Sequence, residues 1–563
     1  MKKAKKISFR INGKRISCGS GETILDAALE SGIDIPALYH HSDFKAKGNC
    51  RLCVVEIKGR EGLASSCSTP ASEGMEIFTD TKRVRASRTM NLRLLAGERG
   101  CESCAETGCY FSKLEKEYHI GGFFEGRKEN RKTYRFANAI QIELPLCVDC
   151  RNCVDACAMQ KINYLEVKGK GSREEISPGE NEKARCILCG QCTLHCPAGA
   201  AREQSHSEEV ESLIKDRNKI VVAQFAPSVR ASIGEEFGLP PGKVETGQLV
   251  SALKKLGFDF VFDVSFGADV TTIVESKELL DRLESGGKIP MITSCCPSWV
   301  LYCEFYHPEL IPYLTTSRSP QIHQGGIIKK YWAEKTGKNP EDITVVSIMP
   351  CTSKKYEASR GELKIRGISP VDYSLTVREI SSMIKKKKID LISLEGSAPD
   401  SPMGESGSGV IYGESGGVME SALRAADFFA SSGKNKELKV DFREIRGMDG
   451  VKEAEALVAG KKMKIAIVNG IGNIEPVISR LKGYDYIEVM ACPGGCIGGG
   501  GQPIPTDNEI RKKRIEALAN VYKGSKIRRA YENAEAMNIV SWIEEKNLGK
   551  EMLYTSFSKR DDY

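Results

Sequence analysis

A chain of 563 residues with 40% hydrophobic residues and a formal charge of +7 is globular and too long for one ordinary domain. The charge forms no basic stripe with interleaved aromatics, which argues against nucleic acid as a partner, and no run of about 18 apolar residues offers a membrane span. The basic start, Lys2 to Lys6, leads into alternating Ile7, Phe9 and Ile11 rather than an apolar segment, so no signal peptide is read and the cytoplasm is the expected location. In that reducing compartment the 21 cysteines point to metal ligation rather than disulfides.

In chain order, residues 6–17 predict a hairpin, because apolar residues alternate on both sides of Asn12-Gly13, a pair suited to a type I′ turn. A helix is expected over Glu22 to Ser31, stopped by Gly32. Cys50, Cys53 and Cys67 follow in a loop-rich stretch, and residues 1–80 fit a β-grasp ferredoxin-like unit. A helix near 82–97 leads to Cys101, Cys104 and Cys109, a small cysteine-cluster unit over 81–122. Residues 120–135 are polar and rich in Gly, Lys and Arg, and read as a linker into a third unit, 123–205. From about 219 short apolar runs alternate with helical patterns: Ile220–Phe225, Phe258–Val264, Ile289–Thr293, Ile343–Met349, Ile465–Val468 and Tyr486–Met490. That alternation predicts α/β architecture with largely parallel strands over 206–563. Ser401 to Gly417 is Gly- and Ser-rich and reads as a loop. The fold class is thus multidomain, α+β and α/β.

The third unit holds two cysteine quartets. Cys147, Cys150, Cys153 and Cys157 follow C-x2-C-x2-C-x3-C, and Cys186, Cys189, Cys192 and Cys196 repeat it with Pro197 after the last. In two-cluster ferredoxins the fourth cysteine of each run ligates the other cluster. One [4Fe–4S] cluster is therefore assigned to Cys147, Cys150, Cys153 and Cys196, and a second to Cys186, Cys189, Cys192 and Cys157. A tight loop wraps three corners of a cubane while the fourth faces the partner loop. Zinc is the rival metal, but its sites usually show two separated pairs.

Three apolar runs of the C-terminal part end in cysteine motifs. Ile292 leads into Thr293-Ser294-Cys295-Cys296-Pro297. Ile348 leads into Met349-Pro350-Cys351-Thr352-Ser353-Lys354-Lys355. Val489 leads into Met490-Ala491-Cys492-Pro493-Gly494-Gly495-Cys496, followed by glycines 498–501. Ligands of open α/β sheets bind beyond the carboxyl ends of strands, so these loops are expected to converge their thiols on one site. The glycines let backbone approach a bulky ligand closely.

These motifs resemble the signatures of [FeFe] hydrogenases, and the likeness runs nearly the whole length of the chain. The resemblance implies an H-cluster: a [4Fe–4S] cubane joined to a two-iron subcluster bearing CO, cyanide and a dithiolate. It places the cubane ligands on Cys296, Cys351, Cys492 and Cys496, with Cys496 as the bridge. It puts Cys295 on the thiol that relays protons, and Lys354 on the lysine that contacts a cyanide. Ala226, Pro227, Ser228, Pro320, Gln321, Met349 and Met490 fall on pocket-lining positions. Glu275 and Glu278 lie three apart in a helical stretch and share a face, and the family pattern maps a proton relay onto Cys295, Glu275, Thr315 and Glu278. Threonine keeps the relay hydroxyl where the family commonly has serine, but is stiffer at χ1.

The N-terminal half departs from the pattern. The family's [2Fe–2S] site has four cysteines; Cys50, Cys53 and Cys67 fit three, and Tyr39 occupies the place of the first. His40, His41 or Cys18 could complete the set. The next family site, one histidine and three cysteines around a further [4Fe–4S], keeps Cys101, Cys104 and Cys109 but has Gly97 where histidine is expected. Cys303 has no assigned role and reads as a core thiol. The implied function is reversible H2 oxidation, with electrons passed to a ferredoxin or to a flavoprotein or NAD(P)-binding subunit, and with maturation proteins as further partners. No nucleotide fingerprint is evident in the chain itself. Alternatives are a non-catalytic hydrogenase-like iron–sulfur protein and a subunit of a multimeric NAD(P)-reducing hydrogenase. The relay set, all present, favours the enzyme.

Overall fold

Asn12 and Gly13 both take positive φ, 49° and 81°, the pair of angles a type I′ turn needs. The computed structural model thus joins β1 (Lys6–Ile11) to β2 (Lys14–Gly19) with Ile11 opposite Lys14. It describes residues 6–97, 110–120, 132–170, 174–180, 184–404, 406–433 and 450–563, with Leu438 and Met448. Thr23 caps the helix Ile24–Glu30, its hydroxyl accepting the Asp26 N–H at 3.1 Å. Short strands β3 (Val54–Ile57), β4 (Ala64–Ser65) and β5 (Glu76–Phe78) complete a sheet of order β2-β1-β5-β3-β4. The helix Lys82–Gly97 follows where expected. Cys101, Cys104 and Cys109 lie outside the described residues.

The linker reading of 120–135 needs correction at its end. Residues 121–131 lie outside the described residues, but Thr133–Phe136 is a strand, β6, paired antiparallel with β7 (Ile140–Glu143). The polar composition concealed an alternation that buries Phe136 in the core. Strands β8 (Leu165–Lys168) and β9 (Glu175–Pro178) form a ribbon, and β10 (Ala201–Glu203) adds to β7. The two quartet loops share one backbone design. Asp149 and Arg151 (φ 53° and 62°) in the first match Leu188 and Gly190 (58° and 69°) in the second. These left-handed residues turn N–H groups back onto sulfur: Asp149 N–H donates to Cys147 at 3.4 Å and Leu188 N–H to Cys186 at 3.4 Å.

The C-terminal part holds two four-stranded sheets. One is parallel throughout, in the order β12 (Phe260–Asp263), β11 (Ile220–Phe225), β14 (Ile343–Met349), β15 (Tyr373–Thr376). β14 is buried along its whole length, as a parallel strand covered on both faces should be. The other runs β13 (Met291–Ile292), β18 (Tyr486–Met490), β17 (Lys461–Asn469), β16 (Val451–Val458), parallel except for the antiparallel β16–β17 edge. Ser401–Gly417 is not simply a loop. Its described residues include a helical turn, Gly407–Val410, and a further turn, Ile411–Gly413, and Gly417 opens a helix to Ala430. The glycines serve packing: a Cβ on Gly409 would stand 2.1 Å from the Ser265 carbonyl oxygen, so this turn lies directly on the helix Ser265–Ser285.

Candidate active site

The carboxyl ends of strands from both sheets face one cavity. From the first sheet, β11 delivers Ala226, Pro227 and Ser228, and β14 delivers Met349 and Cys351. From the second, β13 leads to Cys295 and Cys296, and β18 to Met490 and Cys492. Cys496, Pro320, Gln321 and Lys354 complete the set of expected residues on the same wall. Tyr412, which the sequence reading missed, also lines it; its hydroxyl lies 2.9 Å from Thr272 Oγ1.

Three of the four thiols gathered in this buried space are unfavourable as anions. Burial first, then Cys351 and Cys296, pushes Cys496 up to about 12; burial and Cys351 likewise raise Cys296 and Cys492. A metal cluster reverses that penalty, because coordinated thiols are deprotonated outright. The cradle is equally specific. A Cβ on Gly498 would stand 2.0 Å from the Pro493 carbonyl oxygen, and one on Gly499 2.3 Å from that of Pro350, so the cysteine loops interlock with no side chain between them. Ser228 Oγ and Gln321 Oε1 are buried in the wall without a hydrogen-bond partner among the described residues. Soft donors, a bulky cradle and free polar atoms fit an iron–sulfur group with polar ligands. Lys354 Nζ donates to Glu357 Oε2 at 2.7 Å and to the Cys295 carbonyl at 3.1 Å. Burial opposes its charge, but Glu357, with Cys295 and Cys351 beyond it, keeps its pKa above the ordinary lysine value.

A model of the iron only hydrogenase large subunit, C-terminal domain, matches residues 219–500. The chain belongs to the iron-only hydrogenase family. Models of a 2Fe-2S iron-sulfur cluster binding domain and a 4Fe-4S dicluster domain match residues 4–82 and 146–200. The NADP-reducing hydrogenase subunit HndD of Solidesulfovibrio fructosivorans is 37% identical, over 98% of this chain and 99% of its own. Iron hydrogenase 1 of Clostridium pasteurianum is 38% identical, over 93% and 94%. Among solved structures, a variant of the apo [FeFe]-hydrogenase HydA1 from Chlamydomonas reinhardtii covers 63% of this chain and 99% of its own, with 35% identity and a TM-score of 0.56. The chain is accordingly a hydrogenase-type iron–sulfur oxidoreductase with ferredoxin-like domains of both kinds.

In this hydrogenase the polar line behind Cys295 starts at Glu275, fully buried on the helix Ser265–Ser285. Glu275 Oε1 accepts the Tyr486 hydroxyl at 2.6 Å, and Oε2 has no partner among the described residues. Burial raises Glu275 to about 8, against the Tyr486 hydrogen bond, with Glu278 and Glu488 adding to the rise. Burial and Glu275 in turn raise Cys295. Nearer the surface, Glu278 accepts Thr315 Oγ1 at 2.7 Å and Arg282 Nη2 at 2.5 Å. Tyr486 and Glu488 carried no sequence signal, because 211 residues separate Tyr486 from Glu275.

A carboxyl group at about 8 in the fold and near 4.5 unfolded binds more protons folded than unfolded between those values. Its contribution is intact below about pH 4.5 and is lost as pH rises through 8, at about 1.4 kcal/mol per pH unit. Glu275→Gln is therefore expected to narrow the fall in thermal midpoint between pH 5 and pH 8. Equal falls in the two proteins would contradict the raised pKa.

Thiols of the two quartets lie close together: Cys150 has Cys196 and Cys147 as neighbours, Cys153 has Cys150, Cys147, Cys196 and Cys192, and Cys192 has Cys186, Cys189, Cys157 and Cys196. The second quartet abuts the cavity: Cys492 Sγ lies 3.9 Å from the Cys189 carbonyl oxygen, and Thr352 Oγ1 donates to the Leu188 carbonyl at 2.8 Å.

At the N-terminus, Cys50, Cys53 and Cys67 are buried. A hydrogen bond shared with Cys67 holds the Cys53 thiol down and pushes Cys67 up. The backbone N–H groups of Leu52, Tyr39 and Leu38 face the Cys50 sulfur. The Tyr39 hydroxyl is directed away, donating to the Val148 carbonyl. His40 faces Asp26 at 3.5 Å, and His41 packs edge-on against His195 at 4.2 Å between ring centres. Cys18 donates to the carbonyl of Gly19 at 3.4 Å. Cys303 is fully buried on the helix Pro297–Tyr306. The three thiols are thus buried while the Tyr39 phenol is directed away from Cys50. Tyr39→Cys is expected to raise the iron content by about two per chain, the content of a [2Fe–2S] cluster, and to strengthen the matching EPR signal. Identical iron and EPR in both proteins would show that the site is already complete.

Proposed function

We propose that this chain interconverts molecular hydrogen with protons and electrons in the cavity, where Cys296, Cys351, Cys492 and Cys496 would hold an H-cluster. The observation that carries this reading is one cavity in which four cysteines from three strand ends meet. When bound, that group supplies the redox chemistry of hydrogen. The chain's own residues bind it, exclude water and move protons. Ala226, Pro227, Pro320, Met349 and Met490 give the cavity largely apolar walls, which keep water out and strengthen the few polar contacts. Lys354, fixed by Glu357, offers an oriented cation. Cys295 Sγ holds a proton at the cavity wall. Glu275 receives it behind the wall, and Thr315 and Glu278 carry it outward. A pKa of about 8 leaves Glu275 able both to accept and to release a proton near neutral pH.

Cys186, Cys189, Cys192 and Cys157 beside the cavity, and Cys147, Cys150, Cys153 and Cys196 beyond, would hold two [4Fe–4S] clusters, which would supply one-electron transfer. The five-stranded sheet with its single helix supports a β-grasp reading of residues 1–80 with an incomplete [2Fe–2S] site. A small unit over 81–122, a two-cluster unit over 123–205 and a catalytic unit over 206–563 complete the domain plan, with a further [4Fe–4S] on Cys101, Cys104 and Cys109. We place the chain in the cytoplasm, whose reducing environment keeps thiols available as metal ligands. The electron partner is a ferredoxin or a nucleotide-binding flavoprotein subunit. The near full-length likeness to an NADP-reducing hydrogenase subunit favours the second. Maturation proteins supply the two-iron part. Anaerobically matured protein is expected to evolve hydrogen from a reduced viologen dye and to reduce that dye under hydrogen. Fully iron-loaded, matured protein active in neither direction would refute the function.

A further inference from the structure

Glu278 is the outer carboxylate of the proton line, and a second hydroxyl, that of Thr316, stands between it and solvent. Thr315 and Thr316 follow one another in an extended stretch. The Thr315 N–H donates to the Ile292 carbonyl at 2.7 Å, and the Thr316 carbonyl accepts the Thr555 N–H at 2.7 Å. Thr315 is buried, whereas Thr316 is exposed. Both side chains nevertheless reach the same carboxylate oxygen. Thr315 Oγ1 donates to Glu278 Oε2 at 2.7 Å and Thr316 Oγ1 donates to it at 3.0 Å. The Thr316 N–H adds contacts of 2.9 Å to Oε2 and 3.1 Å to Oε1. Arg282 Nη2 donates to Oε1 at 2.5 Å.

These donors differ in what they can pass on. Arginine is not deprotonated in proteins. Arg282, which also donates to the carbonyls of Tyr313 and Leu314 at 3.0 and 2.6 Å, therefore orients the carboxylate and relays nothing. A backbone N–H likewise holds without relaying. A hydroxyl both donates and accepts, and its hydrogen turns to suit. Oε2 thus meets one relay-competent group on the buried side, Thr315, and one on the solvent side, Thr316.

We propose that Thr316 is a positioning residue that forms the solvent port of the proton relay, acting through Glu278. The inference rests on the relay of Cys295, Glu275, Thr315 and Glu278. In the inward step a hydronium ion gives a proton to Thr316 Oγ1 while the hydroxyl's own proton passes to Glu278 Oε2. One O–H bond forms and one breaks at Thr316, water is released, and the carboxylate becomes a neutral carboxyl group. The outward step is the reverse, and no electrons move in either. The N–H of the same residue keeps the carboxylate in reach while the hydroxyl turns. The rival is direct exchange between water and Glu278, whose side chain is 12% exposed.

The test compares Thr316→Val and Thr316→Ser in the anaerobically matured full chain, with a reduced viologen dye as electron donor. Thr316→Val keeps the branched shape and the N–H and removes only the hydroxyl; Thr316→Ser keeps the hydroxyl. Turnover in Thr316→Val is expected to fall about tenfold, less than the roughly 10²–10⁴-fold of a group that itself holds the proton. The ratio of rates in H2O and D2O should rise with it. Thr316→Ser should match the unaltered chain in both. A second readout needs no turnover: infrared difference spectra of the full chain lacking the two-iron part. The carboxylate band that disappears in Glu278→Gln belongs to Glu278. It is expected to shift in Thr316→Val, which removes one hydrogen bond, and to stay in place in Thr316→Ser. Unchanged turnover and isotope ratio in Thr316→Val would overturn the proposal, since water would then serve Glu278 directly. Equal losses in Thr316→Val and Thr316→Ser would also overturn it, because shape rather than the hydroxyl would matter. Full turnover in Glu278→Gln would overturn the relay itself and the port with it.

Discussion

Replacing Cys496 by serine is expected to abolish hydrogen turnover while the two ferredoxin clusters remain. Cys496 sits where the glycine loop meets the cavity, next to Cys351 and Cys296. Serine keeps the size of the side chain but replaces a soft thiolate by a hydroxyl, a far weaker iron ligand at neutral pH. The backbone that carries it makes its contacts without the sulfur: Gly498 and Gly499 N–H groups close the turn onto Gly495 and Cys496 carbonyls, each at 3.1 Å. The variant should therefore fold, and its EPR should retain the [4Fe–4S] signals of the quartets. Activity comparable to the unaltered chain would remove Cys496 from the site.

Cys295→Ala is expected to lower turnover by about 10²–10⁴-fold, the range that a positioned proton-transfer group contributes, with iron content unchanged. Cys295 lines the cavity beside Cys296, and its thiol lies under the influence of Glu275 behind it. Burial raises the Glu275 carboxyl to about 8, and its charge, when present, adds to the burial that opposes a thiolate on Cys295. A proton can then be exchanged between the two sites within one coupled pair. Cys295→Asp should retain more activity, since a carboxyl group still cycles a proton. Glu278→Gln should also slow turnover, because an amide keeps one oxygen to accept from Thr315 or Arg282 but cannot carry the proton onward. Near-normal turnover in Cys295→Ala would refute the relay. Loss of the two-iron part together with activity would make Cys295 structural and would equally refute its role in proton transfer.

What the sequence reveals of this protein follows from how local each feature is. The cysteine motifs are local: ligand type, spacing and the apolar run before each motif suffice to place them at strand ends. Strands β11, β14 and β18 match the expected limits because buried parallel strands read as unbroken apolar runs. β16 escaped notice because it is an edge strand with alternating exposed residues, Val-Lys-Glu-Ala-Glu, and β15 because it has only four residues. Tyr412 was hidden in a stretch whose glycines look flexible yet serve close packing. Glu488, whose carboxylate accepts the Gly416 and Met419 N–H groups at 2.5 and 2.8 Å, and Tyr486 act on Glu275 only through the folded sheet. The direction of the Tyr39 hydroxyl, onto Val148 rather than toward Cys50, depends on a contact 109 residues away.

Infrared spectroscopy of the anaerobically matured chain tests the central claim most directly. Only a two-iron group carrying CO and cyanide gives bands of those diatomic ligands, and the cavity walled by Cys296, Cys351, Cys492 and Cys496 is where the chain would hold it. The account predicts CO and cyanide bands in the matured protein and their loss in Cys496→Ser. Matured protein that carries the full iron of its quartets but shows no such bands would contradict it.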